Sequence, residues 1–142
     1  MQTYDYSVSF RIRHPSLEPY EITREFLMEP GRMWKAGDAR ATPKGQPLTG
    51  TYKETYWYTN FCSNVTNTDE SLPAALARFI DTLRAHKQFL LKLRHEGGSA
   101  EFFVGIFGME QFGFEFEPVL LADLASMGMT LSLDIYPVRQ RS

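Results

Sequence analysis

The segment from Ser99 to Phe116 constrains the fold most, because it holds six of the chain's 11 phenylalanines. From Phe112 to Phe116 every second residue is phenylalanine, with glycine and glutamate between. This period of two places three rings on one face of a strand. From Ala100 to Phe107 apolar side chains point to both faces, which is typical of a central strand or of a strand whose second face meets a partner. Together the two halves predict a β-hairpin at the centre of a sheet.

The rest of the chain alternates between strand-like and helix-like spacing. Period-two patterns predict strands at Tyr4–Ile12, Arg32–Lys35, Thr51–Phe61 and Leu131–Tyr136. Helical spacing predicts helices after Pro19, after Ser71 and after Pro118, and the second is either one long helix or two helices with a break near His86. The predicted order is β-α-β-β-α-β-β-α-β. It favours a single α+β domain over residues 1–142, a two-layer sandwich whose mixed, mostly antiparallel sheet has the helices on one face.

The connection from Ala36 to Gly50 contains few apolar residues and is rich in glycine, proline and charged side chains. A structureless segment of this length is unusual in a compact domain and is often functional or disordered. Between Arg32 and Lys53 lie five basic residues and one acidic residue, whereas six acidic residues and no basic ones lie between Glu101 and Asp134. Such a separation is explained if the two patches face each other or if each is solvated. The alternatives are a local anion site or a self-complementary interface.

Composition excludes several classes of protein. A net charge of −2 argues against nucleic-acid binding. The longest apolar runs fall short of the roughly 18 residues that span a membrane, and the first residues do not resemble a signal peptide. The single cysteine, Cys62, excludes an internal disulfide and a multi-cysteine metal site. We therefore expect a cytoplasmic protein with neither membrane nor nucleic-acid partners.

Five segments of the chain form a recognisable set: Tyr6–Ile12, Pro30–Gly37, the Tyr56–Trp57 pair, Glu101–Gly105 and Leu131–Tyr136. The more specific motifs among them are Arg-x-Trp-x-x-Gly at Arg32–Gly37 and a hydrophobic strand that ends in Asp-x-Tyr at Asp134–Tyr136. In these segments the chain resembles a bacterial family catalogued as domain of unknown function 4279. The resemblance extends over nearly the whole chain and implies a small bacterial single-domain protein. It carries no catalytic residue that transfers to this sequence.

No catalytic centre emerges from the residue pattern. The three histidines lack metal-ligand spacing, and packing or helix capping explains each of them: His14, His86 and His95. Cys62 has no nucleophile signature and fits a small buried residue. We therefore assign no catalytic residue, no metal and no cofactor, and a non-enzymatic role is favoured over an enzyme.

Three carboxylates offer the one acid–base alternative. Glu115, Glu117 and Asp134 lie on predicted strand faces, and neighbouring strands would bring them together. Such a cluster raises one pKa and supports proton transfer or cation binding. Solvated carboxylates, paired with Arg11 and Arg13, are the commoner arrangement.

The strongest functional signal is a set of aromatic residues on the sheet face away from the helices. Phe103, Phe107 and Tyr136 belong to that face, together with either Trp57 or its neighbour Tyr56. Aromatic rings among charges on an open sheet face are typical of a contact surface. The candidate ligand- or partner-binding residues are Arg32, Trp34, Lys35, Arg40, Trp57, Phe103, Phe107, Asp134 and Tyr136.

Two kinds of function follow from this set. The first is a non-enzymatic protein-binding module, expected to form a homodimer and to bind another protein through the aromatic face, with an immunity-type role as one version. The second is a binding protein or enzyme for a small anion or metabolite that uses the Arg32–Lys53 region. A loop or terminal segment that folds over the face is the purely structural alternative.

Overall fold

The computed structural model describes residues 3–137, in which seven strands and four α-helices are present. The strands are β1 (Asp5–His14), β2 (Arg32–Trp34), β3 (Ala39–Ala41), β4 (Pro47–Thr51), β5 (Thr55–Thr66), β6 (Ser99–Gly108) and β7 (Met129–Pro137). The helices are α1 (Pro19–Phe26), α2 (Leu72–Leu83), α3 (Lys87–His95) and α4 (Pro118–Ser126), with a 3-10 turn at Arg84–His86.

Five strands form one sheet in the order β2-β5-β1-β6-β7, and β3 pairs with β4 as a separate hairpin. Neighbours in the large sheet are antiparallel except β6 and β7, which run parallel because α4 crosses over between them. This architecture confirms the predicted α+β class. Across residues 3–137, no helix has the length and apolar character needed to cross a membrane.

The core lies between the helices and one face of the sheet. Along β1 each second residue from Tyr6 to Ile12 is fully buried. Phe10 sits among rings from both layers, at 5.1 Å between centroids from Phe26 of α1 and 6.2 Å from Phe102 of β6. Buried residues of all four helices belong to the same apolar cluster. The helices therefore cover one side of the sheet, and the residues that alternate with the core positions lie on the other side.

The predicted second strand of the Phe-rich hairpin is wrong. Residues 109–117 leave the sheet, because β6 already pairs with β1 on one side and with β7 on the other. Phe112 and Phe114 instead pack on the ring of Tyr4, at 5.2 and 5.5 Å between centroids. The local alternation is that of a strand, but the rings close one end of the core.

The connection from Ala36 to Gly50 is ordered, contrary to the prediction of a structureless segment. Most of it belongs to the β3–β4 hairpin, whose turn is closed by the N–H of Gly45 donating to the carbonyl of Thr42 at 2.8 Å. Gly45 adopts a φ of 86°, which favours glycine. The side chains of both strands are mostly exposed, so no apolar alternation marks them in the sequence.

The long helical stretch after Ser71 takes the two-helix alternative. Its first helix begins with Ser71 as N-cap, since the hydroxyl accepts a hydrogen bond from the N–H of Ala74 at 3.3 Å. The 3-10 turn then separates α2 from α3 at the expected break. The element order therefore departs from the predicted one by an added hairpin, a divided helix and one strand fewer before α4.

Candidate functional site

The sheet face opposite the helices, here called the open face, gathers arginine and aromatic side chains from all five strands. The register brings them side by side; Trp34 lies opposite Tyr56, and Arg32 opposite Tyr58. The open-face residues used below are Arg11 and Arg13 of β1, Arg32 and Trp34 of β2, Tyr56 and Tyr58 of β5, Glu101, Phe103 and Phe107 of β6, and Asp134 and Tyr136 of β7. None of these side chains is fully buried.

Arg11 and Phe103 form the centre of the open face. The guanidinium carbon of Arg11 lies 3.8 Å from the centroid of the Phe103 ring, which is a cation–π distance. The Nε atom of Arg11 is buried and has no hydrogen-bond partner within residues 3–137. The ring thus fixes the position of the guanidinium without neutralising its charge.

Arg13 lies one step further along β1 and is bound by two carboxylates. Its side chain is 3.1 Å from Glu101 and 3.5 Å from Glu54, and its guanidinium carbon lies 5.1 Å from the ring centroid of Tyr56. Partial burial raises the pKa of Tyr56, and the positive charges of Arg11 and Arg13 offset only part of this increase. At neutral pH the Tyr56 phenol is therefore protonated and able to donate a hydrogen bond.

A stack of rings forms the β2 edge of the open face. Trp34 lies between Tyr52 and Tyr56, with centroid distances of 4.0 and 4.7 Å. The Arg32 guanidinium carbon is 4.9 Å from the Trp34 ring, and its Nη2 donates to the carbonyl of Ala41 at 2.6 Å. The β3–β4 hairpin thereby holds Arg32 and Trp34 in place.

A groove of about 480 Å³ opens beside this stack. Its walls come from β1, β2, β5 and the turn of the hairpin. The lining residues are Arg13, Gly31, Arg32, Trp34, Pro43, Glu54, Tyr56 and Tyr58. Flat rings and two guanidinium groups suit a planar group that carries negative charge.

A second aromatic pair lies near the β7 edge. Phe107 and Tyr136 are stacked at 5.1 Å between centroids. The Tyr136 hydroxyl donates a hydrogen bond to the Asp134 carboxylate, which raises the pKa of Tyr136. Asp134 is therefore hydrogen-bonded on the open face. Glu115 and Glu117 instead line a groove near α2 and α4. The three carboxylates do not come together in the cluster that the acid–base alternative requires.

Trp57 does not belong to the open face, which corrects the sequence-based assignment. Its side chain is 0% exposed, and its indole N–H donates to the Thr23 hydroxyl of α1 at 3.0 Å. Strand β5 has aromatic residues on both faces, so its sequence alone leaves the orientation undecided. The hydrogen bond to α1 satisfies the polar end of Trp57 inside the core, and Tyr56 faces outward instead.

Two predicted basic residues also lie apart from the arginine–aromatic pairs. The ammonium group of Lys35 is 2.6 Å from a carboxylate oxygen of Glu18, the residue before α1. The guanidinium of Arg40 donates to the carbonyl of Thr49 within the hairpin. The sequence identified the basic stretch but not these partners.

Comparison with known proteins gives a family. Residues 2–138 match the model of the family described as Domain of unknown function (DUF4279). The chain belongs to this family. No curated protein and no solved structure matches it. The match agrees with the resemblance in the sequence and brings no activity with it.

In this DUF4279 chain, packing and hydrogen bonds account for the positions of His14 and Cys62. His14 is buried, and its Nδ1 accepts hydrogen bonds from the N–H groups of Ser16 and Leu17. Burial raises the pKa of the Cys62 thiol, so thiolate is scarce at neutral pH. Among residues 3–137, no three acidic, histidine or cysteine side chains are grouped to hold a metal ion.

Sequence reasoning missed several open-face residues. Arg11 and Arg13 alternate with the core positions of β1, so their common face was available from the pattern, although a pairing with Glu115, Glu117 or Asp134 was expected for them. Tyr58 follows from Tyr56 by the same rule. Tyr52 had no such signal, because it reaches Trp34 only through the β3–β4 hairpin.

Proposed function

We propose that this protein is a bacterial, cytoplasmic, non-enzymatic module that binds an acidic surface of another protein through the open face. The observation that carries the proposal is the row of three arginine–aromatic pairs, Arg11 with Phe103, Arg13 with Tyr56 and Arg32 with Trp34. Arginine, tryptophan and tyrosine are the residue types that dominate binding energy at protein interfaces. An immunity-type role, in which the bound protein is a toxin, is one form of this proposal.

The charge of the open face supports an acidic partner. Within residues 3–137, neither Arg11 nor Arg32 has a carboxylate within ion-pair distance. Arg32 donates to a carbonyl and to the Tyr52 hydroxyl, which are neutral acceptors. Carboxylates of a partner would form charge-assisted hydrogen bonds with these two groups, which are stronger than neutral ones.

The rigidity of the open face supports binding as well. The rings stand on paired strands and stack on one another, and each arginine is held by a ring, a carbonyl or a carboxylate. Side chains that are already ordered lose little conformational entropy on association. The face is therefore organised before a partner arrives.

Selection from a random peptide library displayed on phage tests this binding. With wild-type protein as the target, we expect enriched peptides to contain more aspartate and glutamate than the starting library. Arg11→Gln and Phe103→Ala should each weaken the enriched peptides about tenfold, equivalent to about 1.4 kcal/mol. The affinities are measured by calorimetry with synthetic peptides.

The control variant is Tyr20→Ala, which removes an exposed aromatic ring from α1 on the other layer. It should leave the affinity unchanged. Enriched peptides with no excess of acidic residues would contradict the proposal. So would acidic peptides that bind Arg11→Gln and Phe103→Ala as tightly as wild type.

We further propose that two copies of the chain pair through β7. This strand forms one edge of the sheet over nine residues, whereas β2 at the other edge has three. Its apolar residues Leu133 and Ile135 are 41% and 55% exposed. A long edge strand with exposed apolar side chains is a template for pairing with another strand.

The sequence of β7 is complementary to itself in antiparallel pairing. With Leu133 at the twofold axis, Leu131 lies opposite Ile135 and Ser132 opposite Asp134. Apolar side chains then meet on the helix side, and the two Asp134 carboxylates do not oppose each other. The resulting ten-stranded sheet would join the two open faces into one surface.

Light scattering over a concentration series tests this dimer. Wild-type protein should approach the mass of two chains as concentration rises, and Leu133→Lys should stay at the mass of one. Leu48→Lys is the matched control, because Leu48 is 44% exposed and belongs to the separate β3–β4 hairpin. A monomeric wild type, or a dimer that Leu133→Lys leaves intact, would contradict pairing through β7.

The groove beside Trp34 favours a second function, the binding of a small planar anion. Its volume of about 480 Å³ lies within the usual range of about 300–1,000 Å³ for ligand sites. Arg32 supplies positive charge that has no carboxylate within ion-pair distance among residues 3–137, whereas Arg13 is shared with Glu54 of the same groove. Trp34, Tyr56 and Tyr58 supply ring faces. An aromatic carboxylate or a nucleotide has the required chemistry.

Thermal denaturation with a panel of aromatic carboxylates and nucleotides tests the groove. A ligand should raise the melting temperature with increasing concentration, and Arg32→Gln should abolish the rise. Arg40→Gln is the control, because Arg40 lies outside the groove. The second function fails if no compound raises the melting temperature, or if Arg32→Gln retains the effect.

A further inference from the structure

A second groove lies in the helical layer, away from the open face. Its volume is about 910 Å³, and it lies between α2, the start of α4 and the segment 113–117 that precedes α4. We call it the helix groove. Neither the family match nor the proposals for the open face assign it a role.

Small apolar side chains of α2 line the floor of the helix groove. Pro73 and Ala74 lie one helical turn before Ala77, and all three face the groove. The opposite wall contains Phe114 and Val119, and Val119 is 73% exposed. Small residues on one wall allow another backbone to approach closely. Covering the exposed apolar wall is favourable, because it removes apolar surface from water.

The rim of the helix groove is acidic. Asp81, Glu115, Glu117 and Asp123 line it against a single basic residue, Arg84. Arg84 is already held by Asp81 at 2.9 Å and by Asp123 at 3.3 Å. The two glutamates form no ion pair within residues 3–137. Positively charged groups of a bound molecule could therefore form ion pairs with Glu115 and Glu117.

The helix groove is elongated. Its lining residues on the α2 side extend from Ser71 to Arg84, a distance of about 20 Å at the rise of an α-helix. That length corresponds to about 14 residues of a second helix. The groove is open to solvent, and a lining of this length along α2 suits a helix laid beside it.

We propose that the helix groove binds a basic amphipathic α-helix of a partner protein. The apolar side of this helix packs on Ala74, Ala77 and Val119, and its flanking lysines or arginines contact Glu115 and Glu117. This is the helix-in-groove mode of recognition, in which anchors recur at positions i, i+3, i+4 and i+7. The site is separate from the open face, and either proposal stands without the other.

Three synthetic peptides of about 14 residues test the helix groove. The first places leucines at i, i+3, i+4 and i+7 and lysines on the flanks; the second has glutamates in place of the lysines; the third has the composition of the first in a scrambled order. Fluorescence anisotropy with full-length protein measures the affinities. The first peptide should bind at least about tenfold more tightly than either of the others, equivalent to about 1.4 kcal/mol.

Two matched variants locate the binding. Ala77→Arg places a bulky positive charge on the floor of the groove and should weaken the lysine peptide about tenfold or more. Ala122→Arg makes the same change at an exposed alanine of α4 outside the groove and should leave the affinity unchanged. Circular dichroism of both variants checks that each is folded.

Three outcomes would overturn the proposal. One is that the lysine peptide does not bind at millimolar concentration. Another is that the scrambled peptide binds equally well, since charge alone then explains the affinity. The third is that folded Ala77→Arg binds the lysine peptide as tightly as Ala122→Arg does.

Discussion

The stacking of Arg11 on Phe103 depends on β1 being the central strand of a sheet that is covered on one side only. The residues of β1 that face the helices are fully buried, so the strand cannot shift by one position without exposing the core. The same register fixes Arg11 and Arg13 on the opposite face, next to residues of β5 and β6. The packing of the core therefore determines the geometry of the open face.

This division separates the residues that stabilise the fold from those available for binding. The helix side holds the buried apolar side chains of the core, with Trp57 among them. The open face holds guanidinium groups whose charges are only partly compensated, and the β3–β4 hairpin orders its edge through Tyr52 and the Ala41 carbonyl. Arg32 and Trp34 thus depend on a segment with little apolar core of its own.

The sequence predicted features that follow from local periodicity. It placed the strands at β1, β2, β6 and β7 and the α+β class correctly, and it brought Phe103, Phe107 and Tyr136 to one face. The strand predicted at Thr51–Phe61 overlaps β5 but is shifted, since β5 spans Thr55–Thr66. The prediction failed where contacts with distant parts of the chain determine the position of a segment or side chain. Phe112–Phe116 alternates like a strand but cannot pair with β6, whose two sides are taken by β1 and β7. Trp57 faces the core, where it donates a hydrogen bond to Thr23 of α1. The partners of Lys35 and Arg40 are set by α1 and the β3–β4 hairpin, which charge patterns do not reveal.

Phe102 and Phe103 are neighbours of the same residue type on opposite faces of β6, so they test the separation most directly. The measurement is the free energy of unfolding of Phe102→Ala and Phe103→Ala in urea. Phe102 is fully buried, and its loss should cost about 3–5 kcal/mol. Phe103→Ala should cost about 1 kcal/mol, since it mainly removes the cation–π contact with Arg11. Equal losses for the two variants would contradict the account.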